Sequence, residues 1–333
     1  MTYQSAGVSR ETAEAAKETI KHLVHETFDA SVLKGIGLFS GFVSLDVTGY
    51  KQPVLVSSVD GVGTKILIAK MMQRYDTIGV DLVNHCLNDI MVSGADPLFF
   101  MDYIAAARLE QACVAELVRG MAQACREAGC PLVAGETAEM PGVYERGGLD
   151  LVGAIVGLVE RERIIDGSRI AAGDVLLGVP SSGLHTNGYS LVRKIFFEER
   201  GFDCSHQFEE LSGPLGEELL RPHQSYQKLI AAVRERPELH GIAHITGGGI
   251  HGNVIRLLRN GLRPVIDWDA WKPAPIFELI RVLGGVEDEE MQAVFNMGIG
   301  LVLVVAASQA EAMAAGCASV GFEAFPIGTI VQG

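Results

Sequence analysis

The sequence predicts an α/β protein of two domains, and three observations carry that prediction. Its 333 residues suit two domains of ordinary size. From residue 53 to about 160, short β-branched runs alternate with segments whose apolar residues recur at helical spacing, and a second such series starts at Val175. Between the series, turn residues cluster at Asp166-Gly167-Ser168 and Ala172-Gly173-Asp174, which reads as a seam. The expected domains are 1–168 and 169–333.

The elements follow in order. Residues 10–28 read as an amphipathic helix, with Ala13, Ala16, Ile20, Leu23, Val24 and Phe28 on one side and Ser9 as N-cap. A glycine-rich stretch, 35–42, comes next. Pro53-Val54-Leu55-Val56-Ser57-Ser58-Val59 is apolar, β-branched and bounded by turn residues, so it reads as a buried strand. It runs into Asp60-Gly61-Val62-Gly63-Thr64-Lys65. From Thr77 to Gly94, Val80, Val83, Leu87, Ile90 and Met91 mark one helix face, while Asp81, Asn84, His85, Asn88 and Asp89 mark the other. The apolar strand Cys130–Ala134 precedes Gly135-Glu136-Thr137-Ala138-Glu139-Met140-Pro141-Gly142. In the second series, the strand Asp174–Pro180 leads into the hydroxyl-rich loop Ser181–Tyr189 and a helical Tyr189–Ile195. The run Ile242–Ile245 leads into Thr246-Gly247-Gly248-Gly249, with a helix beginning near Asn253.

Composition excludes several classes. Hydrophobic residues at 48% and charged residues at 20% describe a globular chain with a large core. A net charge of −14 disfavours non-specific nucleic-acid binding, which needs a basic surface. No apolar run reaches transmembrane length; the nearest, Leu149 to Val159, is broken by Gly153 and Gly157. The N-terminus lacks a basic region followed by an apolar one, so no signal peptide and no membrane partner are expected. The six cysteines contain no C-x-x-C pair and fit small hydrophobes in a reducing cytoplasm.

Four stretches have the residue types for chemistry. Gly61 and Gly63 let backbone approach a ligand, Thr64 and Lys65 can bind phosphate oxygens, and Asp60 can hold Mg²⁺. The spacing is neither that of a P-loop nor of a Rossmann turn. The stripe from Asp81 to Asp89 is either a solvated helix face or an acidic, amide-rich wall for Mg²⁺; it lacks the cations that solvated faces usually mix in. Gly135, Glu136 and Thr137 read either as a ligand loop at a strand end or as a helix start capped by Thr137. Ser182, Gly183, His185 and Asn187, with Thr246, Gly247, Gly248 and Gly249, form loops suited to an anion. His185 can move a proton near neutral pH, although a lone loop histidine is often structural. Plain flexible turns are the bland alternative for the triple glycine. His22 and His25 read as surface residues, and His206, His223 and His240 sit in polar surroundings without metal-ligand spacing.

Together the stretches VSSVDGVGTK, DTIGVDLVNHCLNDIMVSGADPLFFMDYIA, LVAGETAEMPGVY, VPSSGLHTNGYSLVRK, HITGGGI and FNMGIGLVLV resemble the phosphoribosylformylglycinamidine cyclo-ligases, or AIR synthetases, of purine biosynthesis. The resemblance spans residues 54 to 304 in the family's order. It implies an N-terminal α/β domain whose sheet forms a dimer barrel, and a C-terminal domain with a mixed sheet and flanking helices. It implies a homodimer with the active site between domains and near the dimer interface. The implied reaction uses ATP and Mg²⁺ to close the ring of formylglycinamidine ribonucleotide through an O-phosphorylated formamide. By the same resemblance, Asp60, Asp89 and Glu136 hold the metal, with Lys65 near the γ-phosphate. Asn88 and Gly135 to Thr137 line the nucleotide, the 182–188 loop and Thr246 to Gly249 clamp the ribose phosphate, and 35–42 is a mobile cover.

After the triple glycine the family commonly shows Glu-Asn-(Ile/Val)-Pro-Arg. Here Gly252-Asn253-Val254-Ile255-Arg256 stands instead, preceded by His251. Relatives with the same two-domain plan are the nearest rivals. A selenophosphate synthetase usually has a reactive residue near its N-terminus, whereas the first cysteine here is Cys86. A hydrogenase-maturation dehydratase needs a C-terminal cysteine, and Val331-Gln332-Gly333 offers none. From another class, a catalytically silent nucleotide-binding assembly protein would carry the same loops.

Overall fold

A computed structural model of the protein describes residues 20–35, 37, 39–259 and 261–333. The expected helix at 10–28 and the glycine-rich stretch at 35–42 lie partly outside them; residues 20–25 are helical. The chain divides into two compact units. One comprises Met1–Ile90 with Asp96–Arg161, the other Met91–Ala95 with Glu162–Gly333. Among the described residues no helix is long and apolar enough to cross a membrane.

A two-stranded ribbon, β1 (Val32–Lys34) with β2 (Phe42–Val43), precedes the main sheet of the first unit. That sheet has the order β3-β6-β4-β5, from β3 (Pro53–Gly61), β4 (Asp96–Ala106), β5 (Leu132–Glu139) and β6 (Leu149–Glu160). Only β4 and β5 run parallel. The helix Asp76–Met91 lies on one face, where Leu82 and Phe100 fill the space above Gly153. It crosses the helix Gln111–Ala128 at Gly79 and Gly120, where a side chain on either would collide with the other helix's backbone. Alternation along the strands sends Leu55 and Val59 to the opposite face, where they are 61% and 68% exposed.

The stretch 135–139 is not a helix start. It continues β5, because Gly135 to Glu139 pair in parallel with Asp102 to Ala106. Thr137 lies opposite Ile104 in that ladder and caps no helix.

The second unit holds a five-stranded sheet, order β8-β10-β7-β11-β9. Its strands are β7 (Val175–Pro180), β8 (Leu239–His244), β9 (Leu262–Ile266), β10 (Ile299–Val305) and β11 (Phe325–Gln332). The expected mixed sheet is realised in the first unit; here every neighbouring pair is antiparallel. The interior strand β10, paired on both sides, is buried along its whole length, which explains its uninterrupted apolar run. Ile245, Ile250, Val254 and Ile327 pack with it in one core. Flanking helices include Gln227–Val233, Pro275–Gly284 and Ala310–Ala318. The triple glycine opens its helix earlier than expected, at Gly249 rather than near Asn253.

Candidate active site

The polar stripe of the Asp76–Met91 helix is not a solvated face. Asp81, His85 and Asn88 are buried, and Asp89 is half-buried. The stripe packs against the end of β3. His85 Nε2 lies 2.9 Å from Asp60 Oδ2, and the Gly61 amide donates to Asp60 Oδ1 at 2.8 Å. Ser58 Oγ donates to Asp89 Oδ2 at 3.0 Å. Burial pushes the Asp60 carboxyl up, but the His85 hydrogen bond and charge outweigh it and hold the group below its ordinary range. For His85 burial pulls down, while Asp60, then Asp89 and Asp81, leave it raised. Two carboxylates from a strand end and a helix therefore converge, with a histidine and a hydroxyl fixing them.

Lys65 corrects an expectation. Its side chain is fully buried, with Nζ 2.8 Å from Asp81 Oδ2 and 2.9 Å from Asp81 Oδ1. Burial lowers its pKa against the pull of Asp81. Lys65 therefore holds the helix stripe to the turn rather than presenting its ammonium to a phosphate. Thr64 precedes the helix Lys65–Met72 without a side-chain capping bond, and Gly63 takes φ +58° in the turn.

Glu136 is also elsewhere. Asp60, Gly153, Asp102 and Gly135 stand in one row across β3, β6, β4 and β5, so they share the helix-covered face. Glu136 is the next residue along and points to the opposite face, where it is exposed. Three inter-strand steps of about 4.8 Å also separate β5 from β3. Within one chain, Glu136 does not join Asp60 and Asp89. Glu139 accepts the Leu109 amide at 3.0 Å, an ordinary structural bond.

The row contains a carboxylate that sequence reasoning passed over. A Cβ on Gly135 would collide with Asp102 Oδ1, so glycine there leaves room for this half-buried acid. Burial pushes the Asp102 carboxyl up to about 7. Its only sequence signal was a charge inside an apolar strand.

In the second unit, the expected loops do come together. A Cβ at Gly247 would stand 3.3 Å from Asn187 Oδ1, so the loops after β7 and β8 touch. Asn187 Nδ2 is buried without a hydrogen-bond partner among the described residues. Ser182 Oγ donates to the Pro222 carbonyl, and Gly183 O accepts from Asn296 Nδ2 at 2.9 Å. His185 is buried and takes φ +59°, a left-handed conformation costly for a side chain. Asn253 Nδ2 reaches the carbonyls of Thr246, Gly247 and Gly249 at 3.3, 3.2 and 2.8 Å, which pins the triple glycine. A side chain at Gly249 would collide with the Gln292 carbonyl. His223, expected in polar surroundings, is buried 2.9 Å from His244. No local periodicity announced either contact.

Comparison with known proteins decides the family. Residues 39–159 match the profile of the AIR synthase related protein, N-terminal domain, and residues 171–333 match that of its C-terminal domain. The chain is 49% identical over 331 residues to the phosphoribosylformylglycinamidine cyclo-ligase of Geobacillus kaustophilus (strain HTA426), covering 99% of this chain and 96% of that one. It is 44% identical over 333 residues to that of Alkaliphilus metalliredigens (strain QYMF), covering 100% and 96%. The chain belongs to the phosphoribosylformylglycinamidine cyclo-ligase family. As a cyclo-ligase it is an enzyme of purine biosynthesis. Solved structures share the cyclo-ligase fold at low identity. Thiamine-monophosphate kinase from Stenotrophomonas maltophilia K279a is 17% identical with a TM-score of 0.70, covering 96% of this chain and 94% of that one. HypE in complex with ATP is 18% identical with a TM-score of 0.63, covering 93% and 84%.

Proposed function

We propose that this cyclo-ligase uses ATP to close the ring of formylglycinamidine ribonucleotide, giving 5-aminoimidazole ribonucleotide, ADP and phosphate. The observation that carries the reading is the convergence of Asp60 and Asp89 at the end of β3. An ATP complex of a protein with this fold supports nucleotide use. Asp60, Asp89 and Ser58 offer only hard oxygen donors, which fit Mg²⁺. When bound there, the ion would offset charge on the triphosphate. Asp60 and Asp89 would hold it, His85 and Ser58 orient the two carboxylates, and Gly61, Gly63 and Thr64 form the turn against which the phosphates lie. Asn88, on the same stripe, and Gly135 with Thr137, on β5, belong to the nucleotide side in this reading.

The chemistry asks for activation and positioning. A formamide oxygen leaves poorly, and transfer of the γ-phosphoryl group onto it makes it a good leaving group. The amidine nitrogen then bonds to that carbon, the C–O bond breaks, and phosphate departs. Holding the two ends of one substrate together supplies most of the rate in such a closure. Ser182, Gly183, Asn187 and Thr246 to Gly249 would bind the ribose phosphate, with Asn187 Nδ2 a ready donor. His185 is the group placed to take the proton lost from the attacking nitrogen, which its Nε2 can do only on giving up the Ser182 and Gln224 amides.

Among the described residues Leu55 and Val59 stand exposed on one face of the first sheet, which supports a homodimer, because a second copy laid there would bury them. Sedimentation velocity tests this; a monomer at micromolar concentration would contradict it. The cytoplasm is the expected compartment, in keeping with six free cysteines. The reaction itself is tested by ADP release in the presence of ATP, Mg²⁺ and formylglycinamidine ribonucleotide. ATP binding without ribonucleotide-dependent ADP release would instead favour a silent assembly protein or another ATP-using relative.

A further inference from the structure

Three histidines from three separate segments meet in the second unit. His185 lies in the loop after β7, His223 before the helix Gln227–Val233, and His244 at the end of β8. All are buried, at 1%, 1% and 5% exposure. His223 Nε2 sits 2.9 Å from His244 Nε2, and His223 Nδ1 faces Thr186 Oγ1 at 3.4 Å. The His223 ring stacks on His185 with centroids 3.9 Å apart and planes 23° from parallel. His185 is also pressed against β10, since a Cβ at Gly300 would stand 2.6 Å from His185 Cε1.

Ligand nitrogens of the three rings lie within 4.8 Å of one another, as in a transition-metal site. The ring planes argue against that use. A ligating imidazole aims its lone pair within its own plane at about 2.0–2.1 Å from the metal. Two stacked rings cannot both aim at one ion. His185 Nε2 also accepts from the Ser182 amide at 3.3 Å and the Gln224 amide at 3.5 Å, whereas a metal-bound histidine usually donates through its second nitrogen.

We propose that His223 is a positioning residue for the ring-closing reaction. Its Nε2 meets His244 and its ring face stacks on His185, so one buried side chain ties the two rings together. A single N–H lies between the two Nε2 atoms. In the neutral pair the donor ring therefore has a bare Nδ1, and the acceptor ring has Nδ1–H; the two tautomers must be opposite. The proposal rests on the reading of His185 and the 246–249 loop as substrate-side groups.

The test uses the full chain labelled with ¹⁵N-histidine, long-range ¹H–¹⁵N correlation spectra, and kinetics of His223→Ala and His223→Gln. Opposite neutral tautomers for His223 and His244 are expected in the wild type, which needs no variant. His223→Ala should shift the His244 ring nitrogens and lower kcat by about tenfold or more, with KM for ATP changed by less than about twofold. His223→Gln, whose amide can still meet His244, should recover part of the rate. Identical tautomers for the wild-type pair, or a folded His223→Ala with kcat within about twofold of wild type, would overturn the proposal. If the wild type itself closes no ring, the functional reading falls, while the spectra still decide whether the pair exists.

Discussion

The end of β3 and the loops after β7 and β8 are built from different materials. The first is a meeting of charges: Asp60, Asp89, Asp81, His85 and Lys65, spaced by a strand end and helical turns. The second is mostly backbone and neutral side chains: glycines at positive φ, the Asn253 amide under three carbonyls, and stacked imidazoles. The difference is chemical. A triphosphate with its cation needs fixed opposite charge, whereas a ring closure needs shape and correctly placed protons. A charge-built site should fail abruptly when one charge is removed. A backbone-built site should lose rate in smaller steps.

Asp60→Asn is the sharpest way to break the comparison. It should lower turnover by about 10³-fold or more while the thermal midpoint moves by only about a few degrees, because a loop-edge charge is lost and no core group is. Wild-type-like ADP release from that variant would remove Asp60 from the nucleotide site. Lys65→Met should act on stability instead. It strands Asp81 in the interior and should cost about 3–5 kcal/mol in urea unfolding, with Asp81→Leu added to it restoring most of the loss. His185→Ala belongs to the other region and should lower kcat by about 10²-fold with nucleotide affinity unchanged. An unaltered kcat would show that the ring-closing proton moves elsewhere.

Asp102 gives the smallest effect and a pH signature. Its folded carboxyl titrates near 7, above the unfolded value of about 3.9. The native state therefore keeps a proton that the unfolded chain releases, so stability declines as pH rises from about 4 to about 7 and stays low above that. Asp102→Asn should remove this slope and stabilise the metal-free protein by about 1–3 kcal/mol at pH 8, with little change at acid pH. Denaturation midpoints at two pH values read it directly; parallel midpoints for wild type and variant would contradict it.

Much of the first region was legible in the sequence. Asp60 and Asp89 could be paired because a strand end and a 3.6-residue period each fix a direction. The same rules misled at Lys65, where a cation beside glycines suggested phosphate; its partner Asp81 lies in another element, and burial decides the pairing. Glu136 was misplaced because the β4–β5 ladder continues through GETAE, and one residue of strand register reverses the face. In the second region, the loops were legible as glycine- and hydroxyl-rich turns, yet their internal contacts were not. His223 acts through long-range packing that leaves no local pattern, and Asn253 closes back on carbonyls of the turn just before it, which only the folded turn brings within reach. The antiparallel order of the second sheet was equally hidden, since β10 enters between β7 and β8 from far along the chain.

The central claim is that Asp60 and Asp89 act together on the cation that accompanies ATP. Its most direct test is the Mg²⁺ dependence of ribonucleotide-driven ADP release in the wild type and in Asp89→Asn. The half-saturating Mg²⁺ concentration should rise by about tenfold or more in the variant. Superimposable Mg²⁺ titrations for the two proteins would contradict it.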